Sequence, residues 1–144
     1  MGQGALLRDI GKIGLPDSLL QKPGALSDGE RQTMQAHTVL GEQIIAPLRS
    51  TAALLPIIRH HHERWDGKGY PFGLQGEETP FLARLVAVAD AFSAMTMDRP
   101  YRKGMDREKA LSVLEEGAGT QWDPECVWAL LRAYSPTATL ALAA

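Results

Sequence analysis

Apolar residues recur at spacings of three and four along most of the chain, and no strict alternation of apolar and polar positions is sustained. That period places side chains on one face of a helix, so the pattern predicts helices and no sheet. Residues 3–9 read as the end of a helix, stopped by Gly11 and Gly14 with Pro16 behind them. A turn or short helix follows over 17–21, before the breaker Lys22-Pro23-Gly24. Ser27-Asp28-Gly29-Glu30 has the capping-box form. From there Met34, His37, Leu40, Gly41 and Ile44 form one continuous face, predicting a single helix closed by Pro47. Pro56 suits the first turn of the next helix, which carries Ile57, Ile58 and three histidines. Residues 65–80, WDGKGYPFGLQGEETP, hold four glycines and two prolines and predict a long ordered loop. A strongly apolar helix spans 81–97 around Asp90, another starts at Asp106, and Asp123-Pro124 opens the last. The fold class is therefore all-α, one helical domain of about five to seven helices over residues 1–134. The tail 135–144 is expected to fray.

Composition narrows the partners. A chain of 144 residues with 44% apolar content can close one core. The formal charge of −2 excludes a global basic field, so no DNA partner is expected and an anionic ligand needs a local pocket. No apolar run reaches the roughly 18 residues of a membrane span, and no signal peptide is visible. The single cysteine, Cys126, fits a reducing compartment and reads as a small core residue on the last helix. The expected location is the cytoplasm. The chain opens inside a helix-like segment, which suggests that its first helices are missing.

Three of the four histidines stand together in residues 59–71, RHHHERWDGKGYP. Adjacent helical residues point about 100° apart, so a row of imidazoles is not by itself a site. Their company matters more. Asp90 sits within the apolar run LVAVADAFSAM, where an unpaired carboxylate is costly. His37 shares a face with Met34 and Leu40, and Asp9 ends the first helix. Imidazoles and carboxylates converging from separate helices are what a divalent-metal site requires.

The stretches LLRDIGKIGLPDSLLQKPGALSDGE, MQAHTVLGEQI, HHERWDGKGYPFGLQGEETPFLARLVAVADAF and DRPYRK together resemble the HD-GYP domain, over residues 4 to about 130. This is a branch of the bacterial HD metal-dependent phosphohydrolases associated with hydrolysis of cyclic di-GMP. Gly69-Tyr70-Pro71 is the signature in its name. The resemblance implies metal ligands at Asp9, His37, His61, His62 and Asp90, with Asp9 also in a catalytic role. It implies that Lys12 contacts the scissile phosphate, that Arg99 and Arg102 grip the dinucleotide phosphates, and that Tyr70 contributes to substrate binding. His60 carries no family role and reads as solvated or supporting its neighbours.

Two positions depart from the family pattern. Arg8-Asp9 stands where the family has His-Asp, and Ser93 where it commonly has Asp. Arginine stays protonated and is no metal ligand. Four ligands, Asp9, His37, His61 and His62, survive for one metal of the usual pair; Asp9 and Asp90 alone remain for the other. Arg8 either replaces that metal electrostatically or points to solvent. The expectation is at most one divalent ion (Fe, Mn or similar) and impaired hydrolysis of cyclic di-GMP or a related dinucleotide. The alternative is an inactive nucleotide-binding or protein-interaction module, its loop docking a partner such as a diguanylate cyclase domain.

Overall fold

A computed structural model describes residues 2–98 and 103–134. The described residues are all-α, with two isolated β-bridges and no strand. The element order is α1 (Gly2–Leu7), α2 (Asp17–Leu20), α3 (Asp28–Gln35), α4 (His37–Ile45), α5 (Leu55–His60), α6 (Phe81–Thr96), α7 (Arg107–Glu116) and α8 (Pro124–Tyr134), with short 3₁₀ turns between. The capping signals in the sequence act as written. Ser27 Oγ accepts from the Glu30 amide at 3.4 Å while the Glu30 carboxylate accepts from the Ser27 amide at 2.7 Å. Asp106 caps α7, and Asp123 caps α8 through the Glu125 amide at 2.8 Å.

The single helix expected over 27–47 is two. It breaks at Ala36, because side chains capture the carbonyls that would continue the ladder. His37 Nδ1 donates to the Met34 carbonyl at 2.7 Å, and Thr38 Oγ1 to that of Gln35 at 3.1 Å. The first helix also stops earlier than expected, at Leu7, leaving Arg8 and Asp9 in a turn.

Apolar burial gathers around two centres. Val88 of α6, Leu114 of α7, and Trp122, Cys126 and Val127 at α8 form one cluster. Ile57 and Ile58 of α5 are fully buried between α1 and α4, each side chain contributing about 1.5–3 kcal/mol. Cys126 is in the core as expected, and burial pushes its thiol up to about 12.

The 3₁₀ turn Ile10–Gly14 lies directly on α4. A Cβ on Gly11 would stand 1.9 Å from the His37 carbonyl oxygen and 2.4 Å from the Gly41 amide. Backbone meets backbone here with no side chain between, which sets the turn carrying Asp9 beside His37. Gly11→Ala therefore forces the two elements apart and costs about 1–3 kcal/mol, or more if the turn is expelled. Gly29→Ala meets nothing within 4 Å and stays neutral or gains up to about 1 kcal/mol. Urea midpoints of the two variants against the parent check both.

Candidate metal centre

Four ligand atoms converge where α1, α4 and α5 end or begin. One atom each from Asp9, His37, His61 and His62 lies within 4.8 Å of all the others. His37 opens α4, while α5 ends at His60, so His61 and His62 sit in the turn beyond it rather than on the helix. That exit lets neighbouring rings face one side: their centroids are 4.1 Å apart.

The hydrogen bonds fix which nitrogens are free. His37 Nδ1 faces the Met34 carbonyl, and His61 Nδ1 faces the Ile58 carbonyl at 2.9 Å. A carbonyl only accepts, so both Nδ1 atoms carry the proton and both Nε2 atoms present lone pairs. Those two Nε2 atoms stand 3.5 Å apart, and Asp9 Oδ1 is 3.6 Å from that of His37. Lone pairs aimed at one another without a proton between them repel, and a shared cation removes the conflict. Ligands about 2.0–2.2 Å from a metal stand roughly 3–3.6 Å apart, so the residues fit the ion the fold family implies.

Electrostatics agrees. Burial pushes His61 down to about 4 and His62 to about 3, and it lowers His37 as well. All three imidazoles are neutral near pH 7, as metal ligands must be. For Asp9, burial works to raise the carboxyl, but the Lys12 ammonium, 2.8 Å from Oδ1, and Arg8 outweigh it and hold the group below its ordinary range.

Asp90 falls outside the group of four. The Arg8 guanidinium hydrogen-bonds Asp90 Oδ1 through Nη2 and the Ala5 carbonyl through Nη1. Its Nε lies 3.6 Å from Asp9 Oδ2. Arg8 thus bridges the two carboxylates and does not point to solvent. Ser93 hydrogen-bonds Met97 and takes no part in the cluster. Arg99 and Arg102 lie outside the described residues.

The long loop closes one side. The Tyr70 ring stacks on His62, with centroids 4.7 Å apart and planes 22° from parallel. Burial, together with the Asp9 and Asp90 charges, pushes its phenol up, so it stays a donor. The Tyr70 amide reaches the His62 carbonyl at 3.2 Å, and Tyr70-Pro71 is cis. A Cβ on Gly69 would lie 2.3 Å from the Arg64 amide, so this close approach requires glycine. Trp65 is half-buried. Its amide reaches Gln121 at 3.2 Å, its carbonyl takes the Gly76 amide at 2.9 Å, and Arg84 lies 5.6 Å from its ring. Sequence reasoning missed Glu63. Its carboxylate, fully buried, accepts from the Phe72 amide at 2.8 Å and the Leu74 amide at 3.1 Å. A lone glutamate before a glycine-rich loop was the available signal.

A family model of the HD domain matches residues 2–126. The chain belongs to the HD domain family. This HD domain is 43% identical over 129 residues to 3′3′-cGAMP-specific phosphodiesterase 3 of Vibrio cholerae, covering 90% of this chain and 28% of that protein. It is 45% identical over 132 residues to a cyclic di-GMP phosphodiesterase of Thermotoga maritima, covering 89% and 35%. It is 44% identical over 132 residues to the cyclic di-GMP phosphodiesterase response regulator RpfG of Xanthomonas campestris, covering 89% and 34%. The chain therefore spans about a third of the length of such relatives. The crystal structure of a cyclic GMP-AMP specific phosphodiesterase of V. cholerae, V-cGAP3, shares the fold. Its TM-score is 0.66 at 22% identity, covering 96% of this chain and 39% of that one. Among the described residues no helix is long and apolar enough to cross a membrane.

The depressed histidines generate a pH dependence. A group whose folded pKa lies below its unfolded value binds fewer protons when folded, so its contribution is complete above about pH 6.5 and lost as pH falls. With all four histidines lowered, the metal-free chain loses stability from about pH 6.5 down through about 4 and 3, where His61 and His62 titrate, and the stretch above about 4.5 lies clear of most carboxylates. Urea unfolding followed across that window shows the slope, and His62→Gln makes it shallower.

Proposed function

We propose that this HD domain is of the bacterial cyclic-dinucleotide phosphodiesterase type and holds one divalent ion, iron, manganese or similar, at Asp9, His37, His61 and His62. The observation that carries the reading is the pair of Nε2 lone pairs 3.5 Å apart, each locked by a backbone carbonyl on the opposite nitrogen. Relatives named for cyclic di-GMP and 3′3′-cGAMP hydrolysis support the substrate class. When bound, a divalent ion there supplies Lewis-acid polarisation of a phosphoryl oxygen and an acidified water. Asp9 and the three imidazoles hold it. Lys12, beside Asp9 and 42% exposed, offers an ammonium to a phosphate oxygen. Tyr70 offers a ring and a protonated phenol at the mouth. Arg99 and Arg102 are proposed to grip the dinucleotide phosphates with their guanidinium forks.

Arg8 takes the place of a second ion. Its permanent charge neutralises Asp90 and leans on Asp9, and among the described residues no second imidazole set accompanies those carboxylates. Without a two-ion clamp, turnover falls by several orders of magnitude if one ion supplies several kcal/mol. A second reading, a binding module without turnover, is favoured by Phe72. This ring is 54% exposed on the loop, with the Arg59 guanidinium 4.6 Å from its centroid, and offers a protein partner a rigid aromatic contact.

Elemental analysis beside a hydrolysis assay on cyclic di-GMP and 3′3′-cGAMP tests the proposal. One metal or less per chain and slow hydrolysis are expected, with metal lost in His37→Ala. Arg8→His is expected to raise occupancy of a second ion only in part. Two fully occupied metals with brisk turnover would overturn the Arg8 assignment, and a chain that retains no metal would favour the binding module. Arg99→Ala combined with Arg102→Ala is expected to weaken dinucleotide binding by about 2–5 kcal/mol, read by calorimetry.

A further inference from the structure

The three imidazoles of the cluster are not oriented alike. Those of His37 and His61 are each tied through Nδ1 to a backbone carbonyl. Among the described residues no hydrogen bond ties the His62 ring. A ligand imidazole free to turn about its side-chain bonds must be re-ordered on every binding event, so something else has to set its plane.

Its packing supplies that constraint. On one face His62 meets Tyr70 in a near-parallel stack, and His61 and His37 pack against it at centroid distances of 4.1 Å and 5.2 Å. Tyr70 is a loop residue, and a stack is only as rigid as the loop that holds it. Two attachments hold this one. The Tyr70 amide reaches the His62 carbonyl, and just beyond it the amides of Phe72 and Leu74 both end on Glu63. Glu63 follows His62 directly in the chain. Its side chain is fully buried, and among the described residues no lysine or arginine pairs with it. A buried carboxylate spent on two backbone amides, with the nearest imidazole nitrogen, His60 Nδ1, 3.8 Å away, is costly unless the geometry it enforces is needed.

We propose that Glu63 is a positioning residue for the metal centre, fixing the His62 imidazole through the 72–74 backbone and the Tyr70 ring. The metal part rests on the proposed function above; the His62–Tyr70 geometry does not. Glu63→Gln keeps shape and size but turns one acceptor into an NH₂ that faces an amide donor. One of the two amide bonds to residue 63 is lost, that attachment loosens, and Tyr70 is released from its register.

Two measurements on the full chain decide it. The first uses metal-free protein. With four histidines in the chain, the His62 ring protons are assignable by NMR, and Tyr70→Leu gives their position without the ring current. Glu63→Gln is expected to move the His62 signals most of the way to the Tyr70→Leu position. The second is titration with Co²⁺ alone, read by its visible absorption. Glu63→Gln is expected to weaken binding about 10-fold or more, the usual effect of losing an orienting group outside the ligands. In the Tyr70→Leu background the same change is expected to alter Co²⁺ affinity less than about twofold, because the path through Tyr70 is already cut. Unmoved His62 signals with unchanged affinity would overturn the proposal even if the melting temperature falls, since Glu63 would then only support the fold. Equal effects in both backgrounds would also overturn it. A parent chain that binds no Co²⁺ would sink the metal-centre reading, and the NMR comparison would then decide the positioning of His62 by itself.

Discussion

The geometry of the Asp9–histidine cluster depends on backbone packed against backbone at Gly11. At Gly11 the 3₁₀ turn after Arg8-Asp9 meets the α4 backbone with no side chain between, so main-chain positions bring Asp9 and His37 together, with the Ile10 side chain packed beside them at Gly41. Packing of this kind has few alternatives: a turn that shifts by an ångström loses contact or clashes. The second half of the site is placed by a different device. Burial of Ile57 and Ile58 seats α5, and the helix then ends where His61 turns back on the Ile58 carbonyl. The two devices meet at α4, whose Gly41 admits both Ile58 and the Gly11 backbone.

Within this frame the cluster stores an electrostatic conflict. Neutral imidazoles and a carboxylate present acceptors to one another, and burial keeps protons from relieving the strain. Lys12 and Arg8 soften it from the Asp9 side only. The histidine side stays unresolved in the chain by itself, which is the physical sense in which the site is prepared for a cation. Preparing it lowers the stability of the free chain in exchange for a geometry already close to the bound one.

Much of this was legible in the sequence where a single residue acts locally. Ser27, Asp106 and Asp123 cap helices because a short polar side chain reaches its own neighbours, and that reach does not depend on the rest of the fold. The grouping of Asp9 with His37, His61 and His62 came from the HD-GYP resemblance, not from helical periodicity, which would have sent His61 and His62 to different faces. The break at Ala36 was hidden because His37 and Thr38 read as helix-face residues, while their side chains compete for the carbonyls behind them. Glu63 was hidden for a similar reason. Its partners are amides nine and eleven residues on, and a backbone amide leaves no mark in a sequence.

Arg8 gives the site an asymmetry toward protons. The cluster histidines still titrate, but burial moves that change to acid pH, about 4 for His61 and about 3 for His62, so their lone pairs stay open to a cation near neutrality and close only on strong acidification. A guanidinium does not give up its proton at any such acidity. Asp90 is therefore matched by a charge that neither pH nor chelators can remove. On the proposed one-ion reading, one half of the centre is an exchangeable port and the other a soldered joint, which only a change of sequence at position 8 opens.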